Sequence, residues 1–254
     1  MQHNPRKRFG QNFLVDQHII ARIIDEIHPQ TGDRLIEIGP GLGALTRPLR
    51  QTTGHLDVIE IDRDIVARLN KEFTQDQLTI HAADALKFDF SALGDKLRIV
   101  GNLPYNISTP LLFHLSQFSS HILDMHFMLQ KEVVDRMAGA PATSDYGRLS
   151  VMLQYRFDIE YVFSVPAESF RPMPKVESAI VRMIPRDSSM RIVKDEAVFA
   201  QIVAAAFSQR RKTLRNTLQQ YLTIGDFNTL GIDPGLRAEN LSVDDFAAIA
   251  NFLS

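Results

Sequence analysis

The sequence predicts an α/β fold, with a mostly parallel sheet covered by helices on both faces and a small all-helical C-terminal domain. Three observations predict it. Short apolar strand-like runs alternate with amphipathic helical stretches as far as about Pro185. The first long strand runs straight into a glycine-rich turn, Gly39-Pro-Gly-Leu-Gly43. Past the polar break Pro185-Arg-Asp-Ser-Ser189, only helical patterns remain. Strands alternating with helices imply βαβ units and a parallel sheet.

Ile19, Ile20, Ile23, Ile24 and Ile27 recur at helical spacing between Val15 and Ile27. Gln11 to Leu14 read as the entry to this helix, with Asp16 as its cap. Arg34 to Ile38 form a strand, and Ala44 to Arg50 the helix after the glycine turn. His55 to Glu60 are a second strand, followed by a helix through Ile65, Leu69 and Phe73. Leu78 to Ile80, Leu97 to Val100 and Met125 to Leu129 are further strands, the first ending before Asp84 and the second at Gly101-Asn102. In the C-terminal part, Val198, Phe199, Ile202, Val203, Ala206 and Phe207 make a helical stripe, and two helical stretches flank Pro234-Gly235. Continued as one straight helix, that stripe would take in Arg210, so a break near Ser208 is expected unless Arg210 is held inside for a purpose. The domains are placed at 1–187, with a basic arm over 1–14, and at 188–254.

With no Cys, disulfides, thiolate zinc sites and a Cys nucleophile are excluded. The eight His are scattered without His-Glu-x-x-His spacing, and no metal is expected. No stretch has the uncharged apolar length to span a bilayer. Met1 to Arg8 lack the apolar core of a secretory signal, so a cytoplasmic protein is expected. The net charge of −2 gives no general attraction for a polyanion. If one binds, the basic charge is local: Arg6, Lys7 and Arg8, or Arg210, Arg211, Lys212 and Arg215. Such clusters by themselves are ordinary solvated faces.

Ligands of open parallel sheets bind at the carboxyl ends of the strands, and the informative polar residues fall there one strand after another. Gly39, Gly41 and Gly43 follow the first long strand, where glycine lets the backbone turn tightly and approach a ligand. Glu60 ends the next, where a carboxylate can accept both hydroxyls of a ribose. Asp84 follows the third and could accept from an adenine amine; Asn102 follows the fourth. The glycine turn also suits a ligand-free strand–helix junction and, with Ala44 in place of the last glycine, a dinucleotide fingerprint. Two features favour S-adenosylmethionine. Glu37 lies ahead of the glycines, where an acid can face an amino-acid ammonium, and Pro40 with closely spaced glycines suits a ligand lacking a pyrophosphate.

Asn102-Leu103-Pro104-Tyr105 is the sharpest signal. Alone it could be an ordinary turn. At the end of the fourth strand of this sheet it suits methylation of an adenine amine. The N6 lone pair is delocalised into the ring, and acceptors on its two protons localise it. The Asn102 side-chain oxygen and a backbone carbonyl, that of Leu103, can be those acceptors. Pro104 stiffens the turn, and Tyr105 offers an aromatic face to an unstacked base. Catalysis is then positioning and electrostatics.

With these residues in view, the chain resembles the ribosomal RNA adenine dimethyltransferases, in particular the bacterial kind acting on small-subunit RNA. The resemblance covers nearly the whole chain. It rests on Lys7 to Leu14, Glu37 to Gly43, Glu60-Ile61-Asp62, Asp84-Ala85, Asn102 to Ser108, Phe170 to Val176 and Gln209 to Lys212. It implies a Rossmann-like class I methyltransferase that transfers methyl groups to N6 of two adjacent adenosines in the 3'-terminal hairpin of 16S rRNA during small-subunit biogenesis. It implies a cofactor pocket of Asn12, Leu14, Glu37, Gly39, Gly41, Glu60, Ile61, Asp84, Ala85 and Asn102. It implies that Phe170 sandwiches the target adenine against Tyr105, although by itself Phe170 reads as a loop anchor on the core. The basic residues become RNA contacts, the cluster near Arg211 in a helical domain that selects substrates. The expected partner is the immature small subunit or its RNA, and a monomer is expected. Three other readings remain open: a large-subunit RNA methyltransferase of the antibiotic-resistance type, an NAD-dependent oxidoreductase, and a non-catalytic assembly factor that holds ribosomal RNA.

Overall fold

The computed structural model describes residues 12–187 and 193–254. The chain divides into two compact units, one of residues 1–134 and 160–185, the other of 135–159 and 186–254. Residues 135–159 thus cluster with the C-terminal part, and the second unit is larger than a boundary at 187 would give.

The first unit opens with β1 (Phe13–Leu14) and α1 (Gln17–Ile27). Asp16 caps α1 by accepting from the His18 and Ile19 N–H groups, and Ile20, Ile23 and Ile27 turn inward. Then come β2 (Arg34–Ile38), α2 (Thr46–Thr53), β3 (Leu56–Ile59), α3 (Arg63–Glu72), β4 (Leu78–His81), β5 (Leu97–Asn102), α4 (Ser108–Ser116) and β6 (Ile122–Gln130). The chain passes through α5 (Lys131–Ala138) and α6 (Arg148–Gln154) before β7 (Phe157–Val165), β8 (Phe170–Arg171) and β9 (Ser178–Pro185). The large sheet has the order β4-β3-β2-β5-β6-β9-β7. β2 to β6 pair in parallel, whereas β9 runs antiparallel to β6. The βα alternation therefore stops at β6 rather than continuing to Pro185. β1 and β8 form a separate antiparallel ladder that pairs Leu14 with Phe170.

Strand order reverses between β2 and β5, because β3 and β4 lie to one side and β6 to the other. Such a switch point leaves a crevice at the strand ends. Leu97, Ile99 and Val100 of β5 are buried, as expected of a parallel strand covered on both faces. At the opposite end of the sheet, buried Arg98 pairs with Asp33 at 2.6 Å and Asp124 at 2.8 Å, and donates to the Ile27 and His28 carbonyls that close α1.

The second unit holds the second half of α5, then α6, α7 (Glu196–Ala206), α8 (Leu214–Thr217), α9 (Ile224–Leu230) and α10 (Val243–Leu253). Its core gathers Phe199, Ile202 and Val203 of α7 with Phe246 and Ile249 of α10. Thr223 with Asp226 and Ser242 with Asp245 make reciprocal capping boxes for α9 and α10. α7 ends at Ala206, so Arg210 lies beyond the helix and outside its apolar stripe. No described helix is long and apolar enough to cross a membrane.

Candidate active site

A cavity of about 330 Å³ opens at the carboxyl ends of β2, β3, β4 and β5. That volume is ordinary for a small-ligand site. Asn12, Gly39, Gly41, Glu60, Ile61, Asp84, Ala85 and the whole Asn102–Tyr105 turn line it. Eleven of the sequence-predicted residues thus meet in one place, drawn from five separate segments. Gly39 adopts φ +70°, and a Cβ there would stand 3.8 Å from the Asn102 carbonyl oxygen, in space that the cavity keeps open.

Two carboxylates face this space. Glu60 is 7% exposed, and its Oε1 accepts from the Asp62 N–H at 2.8 Å. Burial raises its pKa, opposed by the hydrogen bonds from Asp62, Ile61 and Gly41. Asp84 accepts from the Leu86 N–H at 3.0 Å through Oδ1, which steadies the carboxylate at the end of β4. Among the described lining residues there is no Lys, Arg or His. The electrostatic character is therefore acidic, with Ile61, Ala85 and Leu86 adding an apolar wall.

The turn after β5 is fixed at several points. The Asn102 Nδ2 donates to the Asn12 carbonyl at 3.1 Å. A carbonyl can only accept, so the amide nitrogen must lie on that side, and the orientation of the carboxamide follows from chemistry. The Leu103 N–H donates to the Met128 carbonyl at 3.1 Å, and Ile107 closes the turn onto the Pro104 carbonyl at 3.1 Å. The Tyr105 hydroxyl meets the Ser178 hydroxyl at 2.9 Å.

Three predicted residues lie elsewhere. Glu37 and Leu14 line a smaller cavity of about 40 Å³, which shares Phe13, Gly41 and Asn102 with the main one. Glu37 is 2% exposed and accepts from the Thr46 hydroxyl at 2.6 Å. Burial pushes its pKa up to about 7, against the lowering effect of that hydrogen bond. Phe170 does not line the main cavity. It is 1% exposed and packs with Leu14 in the core, because the β1–β8 ladder turns it inward, the place of a core anchor. Arg210, Arg211, Lys212 and Arg215 are all exposed on the second unit, with Arg210 donating to the Ser144 carbonyl at 3.4 Å. Arg6, Lys7 and Arg8 lie outside the described residues.

Sequence reasoning missed Phe13, Leu86, Ile59, Ile65 and Thr46. The first four are apolar, and an apolar residue at a strand end carries the same signal whether it faces core or ligand. Asn106 and Ile107 were within the motif string and were given no role, although both line the cavity.

Known proteins resemble this chain along its whole length. A protein of Nitrosospira multiformis named Ribosomal RNA small subunit methyltransferase A is 63% identical over 254 residues, spanning 100% of this chain and 98% of its own. A protein of the same name from Nitrosomonas europaea is 65% identical over 98% of this chain and 96% of its own. Among solved structures, a dimethyladenosine transferase from Plasmodium falciparum superposes with a TM-score of 0.78 at 26% identity, covering 93% of this chain and 95% of its own. The 23S rRNA methyltransferase ErmE shares the fold, with a TM-score of 0.74 at 24% identity over 95% of this chain and 99% of its own. The family model described as ribosomal RNA adenine dimethylase matches residues 2–254, and the chain belongs to that family.

Proposed function

We propose that this chain is an S-adenosylmethionine-dependent dimethyltransferase acting on N6 of two adjacent adenosines in the 3'-terminal hairpin of small-subunit ribosomal RNA. The observation that carries the cofactor is the charge of the cavity. Two carboxylates, with no cation among the described lining residues, suit a sulfonium nucleoside and oppose the pyrophosphate of NAD. The residues fit the group. Glu60 would accept from the ribose hydroxyls, Asp84 from the adenine amine, and the Ile61, Ala85 and Leu86 side chains would flank the ring. The smaller cavity with Glu37, Leu14 and Asn102 would take the amino-acid end.

S-adenosylmethionine supplies a methyl group already activated on a positive sulfur. The protein must then present a nucleophile. With its nitrogen committed to the Asn12 carbonyl, the Asn102 carboxamide offers its oxygen to one N6 proton of the target adenine. The Leu103 carbonyl takes the other. The lone pair would localise on nitrogen and take the methyl as its bond to sulfur breaks, leaving a neutral thioether, and the methylated nitrogen would lose a proton to water. The monomethylated amine keeps one proton for a single acceptor, and a second transfer from a fresh cofactor would give the dimethylated base. Tyr105, lining the cavity with its hydroxyl anchored, would stack on the base.

The choice of small-subunit RNA rests on the full-length relatives, which carry that name at about 60% identity and above. Arg210, Arg211, Lys212 and Arg215 would contact RNA phosphates, and with the helical unit they would select the substrate. The reading includes a cytoplasmic monomer acting on the immature subunit. Its test is transfer of labelled methyl to small subunits from cells lacking the modification. Label in dimethyladenosine of the small-subunit RNA is expected; label in large-subunit RNA alone would overturn the assignment.

A further inference from the structure

The catalytic turn is tethered from outside its own strand. Tyr105 follows β5, yet its hydroxyl meets Ser178, the first residue of β9. β6 lies between β5 and β9. Two strand spacings amount to about 9.6 Å, so a short side chain on either strand could not close the gap alone. A tyrosine reaches across, and the serine meets it. The serine end is rigid. Ser178 is 1% exposed and sits in the ladder opposite Gln130, and the Lys131 N–H donates to the neighbouring Glu177 carbonyl at 3.0 Å. The tyrosine end is the less constrained one, because Tyr105 is half-buried and Asn106 beside it is exposed. A side chain anchored only at its backbone swings between rotamers about χ1. Held at the hydroxyl as well, its ring points in one direction.

We propose that Ser178 is a positioning residue, which fixes the direction of the Tyr105 ring axis so that a target base stacks with its amine at the Asn102 and Leu103 acceptors. The inference rests on the assignment of Tyr105 to the base. Ser178 acts only through Tyr105, so each substitution that breaks the hydroxyl pair has the same consequence, and breaking it twice costs no more than breaking it once. A neutral hydrogen bond of this kind corresponds to about a two- to tenfold effect.

The test is a double-mutant cycle with Ser178→Ala and Tyr105→Phe, reading kcat and the KM for S-adenosylmethionine in methyl transfer to small-subunit RNA. The expected result is a fall in kcat of about two- to tenfold in each single variant, with KM for the cofactor unchanged. The double variant should be no slower than the slower single, and Ser178→Thr should restore the rate. Fluorotyrosine labelling gives a readout independent of turnover, since the chain has five Tyr and no Trp. The Tyr105 resonance, identified by its loss in Tyr105→Phe, should shift or broaden in Ser178→Ala. Losses that multiply in the double variant, an unchanged rate in Ser178→Ala, or an unmoved resonance would each overturn the proposal while the wild type remains active. A wild type that transfers no methyl to adenine would sink the parent reading, and this one with it.

Discussion

Replacing Glu37 with Gln should abolish a pH-dependent loss of stability. In the protein without its cofactor, burial lifts this carboxyl from an ordinary 4.5 to about 7, against the hydrogen bond donated by the Thr46 hydroxyl at 2.6 Å. The native state therefore holds the proton more tightly than the unfolded chain does. The stabilisation from that proton is complete below pH 4.5 and is lost as the pH rises through 7. At about 1.4 kcal/mol per pH unit, the loss reaches about 3 kcal/mol above neutrality. Glutamine keeps the shape and carries no charge at any pH. Urea unfolding at a series of pH values from 4.5 to 8.5 measures the difference between variant and wild type. Any change in the bond to Thr46 adds a constant offset, so the slope is the diagnostic quantity. The difference should move in favour of Glu37→Gln by about 3 kcal/mol across this range and level off at the alkaline end. A difference that stays flat would refute the reasoning and show that Glu37 ionises as a solvated carboxyl. If the ammonium of a bound cofactor faces Glu37, it favours the charged form, and binding near pH 7 should release a proton. The binding enthalpy would then depend on the ionisation heat of the buffer in wild type and not in the variant.

Glu60→Gln should weaken binding of S-adenosylmethionine by the loss of charge-assisted hydrogen bonds, about 1.5–3 kcal/mol or a Kd roughly 10- to 100-fold higher by titration calorimetry; an unaltered Kd removes Glu60 from the pocket. Phe170→Ala should destabilise the fold by about 3–5 kcal/mol in chemical denaturation, as befits a fully buried aromatic. A loss under about 1 kcal/mol would return Phe170 to the role of stacking partner. Arg211→Ala combined with Lys212→Ala should lower the salt slope of RNA binding by about 2, and an unchanged slope would make that cluster ordinary surface.

The polar half of the site was legible because each residue stands at a strand end, and strand ends can be counted along a chain. Gly39, Glu60, Asp84 and Asn102 follow four successive strands, and the parallel order brings all four to one crevice. The apolar half was not legible. Ile59, Ile65 and Leu86 differ from core residues only in what they face. The β1–β8 ladder joins Leu14 to Phe170 from opposite ends of the first unit, and two-residue strands leave no periodic trace. This pairing is what buries Phe170, so its placement could not be read from Phe170-Arg-Pro itself. Strand direction was hidden for the same reason: the apolar run of β9 fits a parallel or an antiparallel neighbour equally well. The state of Glu37 depends on how completely it is enclosed, which an acid ahead of a glycine turn does not reveal. Arg210 shows the opposite case. Its clash with the apolar stripe of α7 implied a helix break, and α7 ends at Ala206.

The central claim is that the Asn102–Tyr105 turn performs methyl transfer to adenine, and its most direct measurement compares wild type with Asn102→Ala. Both proteins would be given labelled S-adenosylmethionine and unmethylated small subunits, and RNA binding would be measured alongside. The account predicts that wild type forms dimethyladenosine, and that Asn102→Ala loses transfer by at least about 100-fold, the scale of a lost transition-state acceptor, while RNA binding is kept. Transfer by Asn102→Ala at the wild-type rate would contradict it and place the chemistry outside this turn.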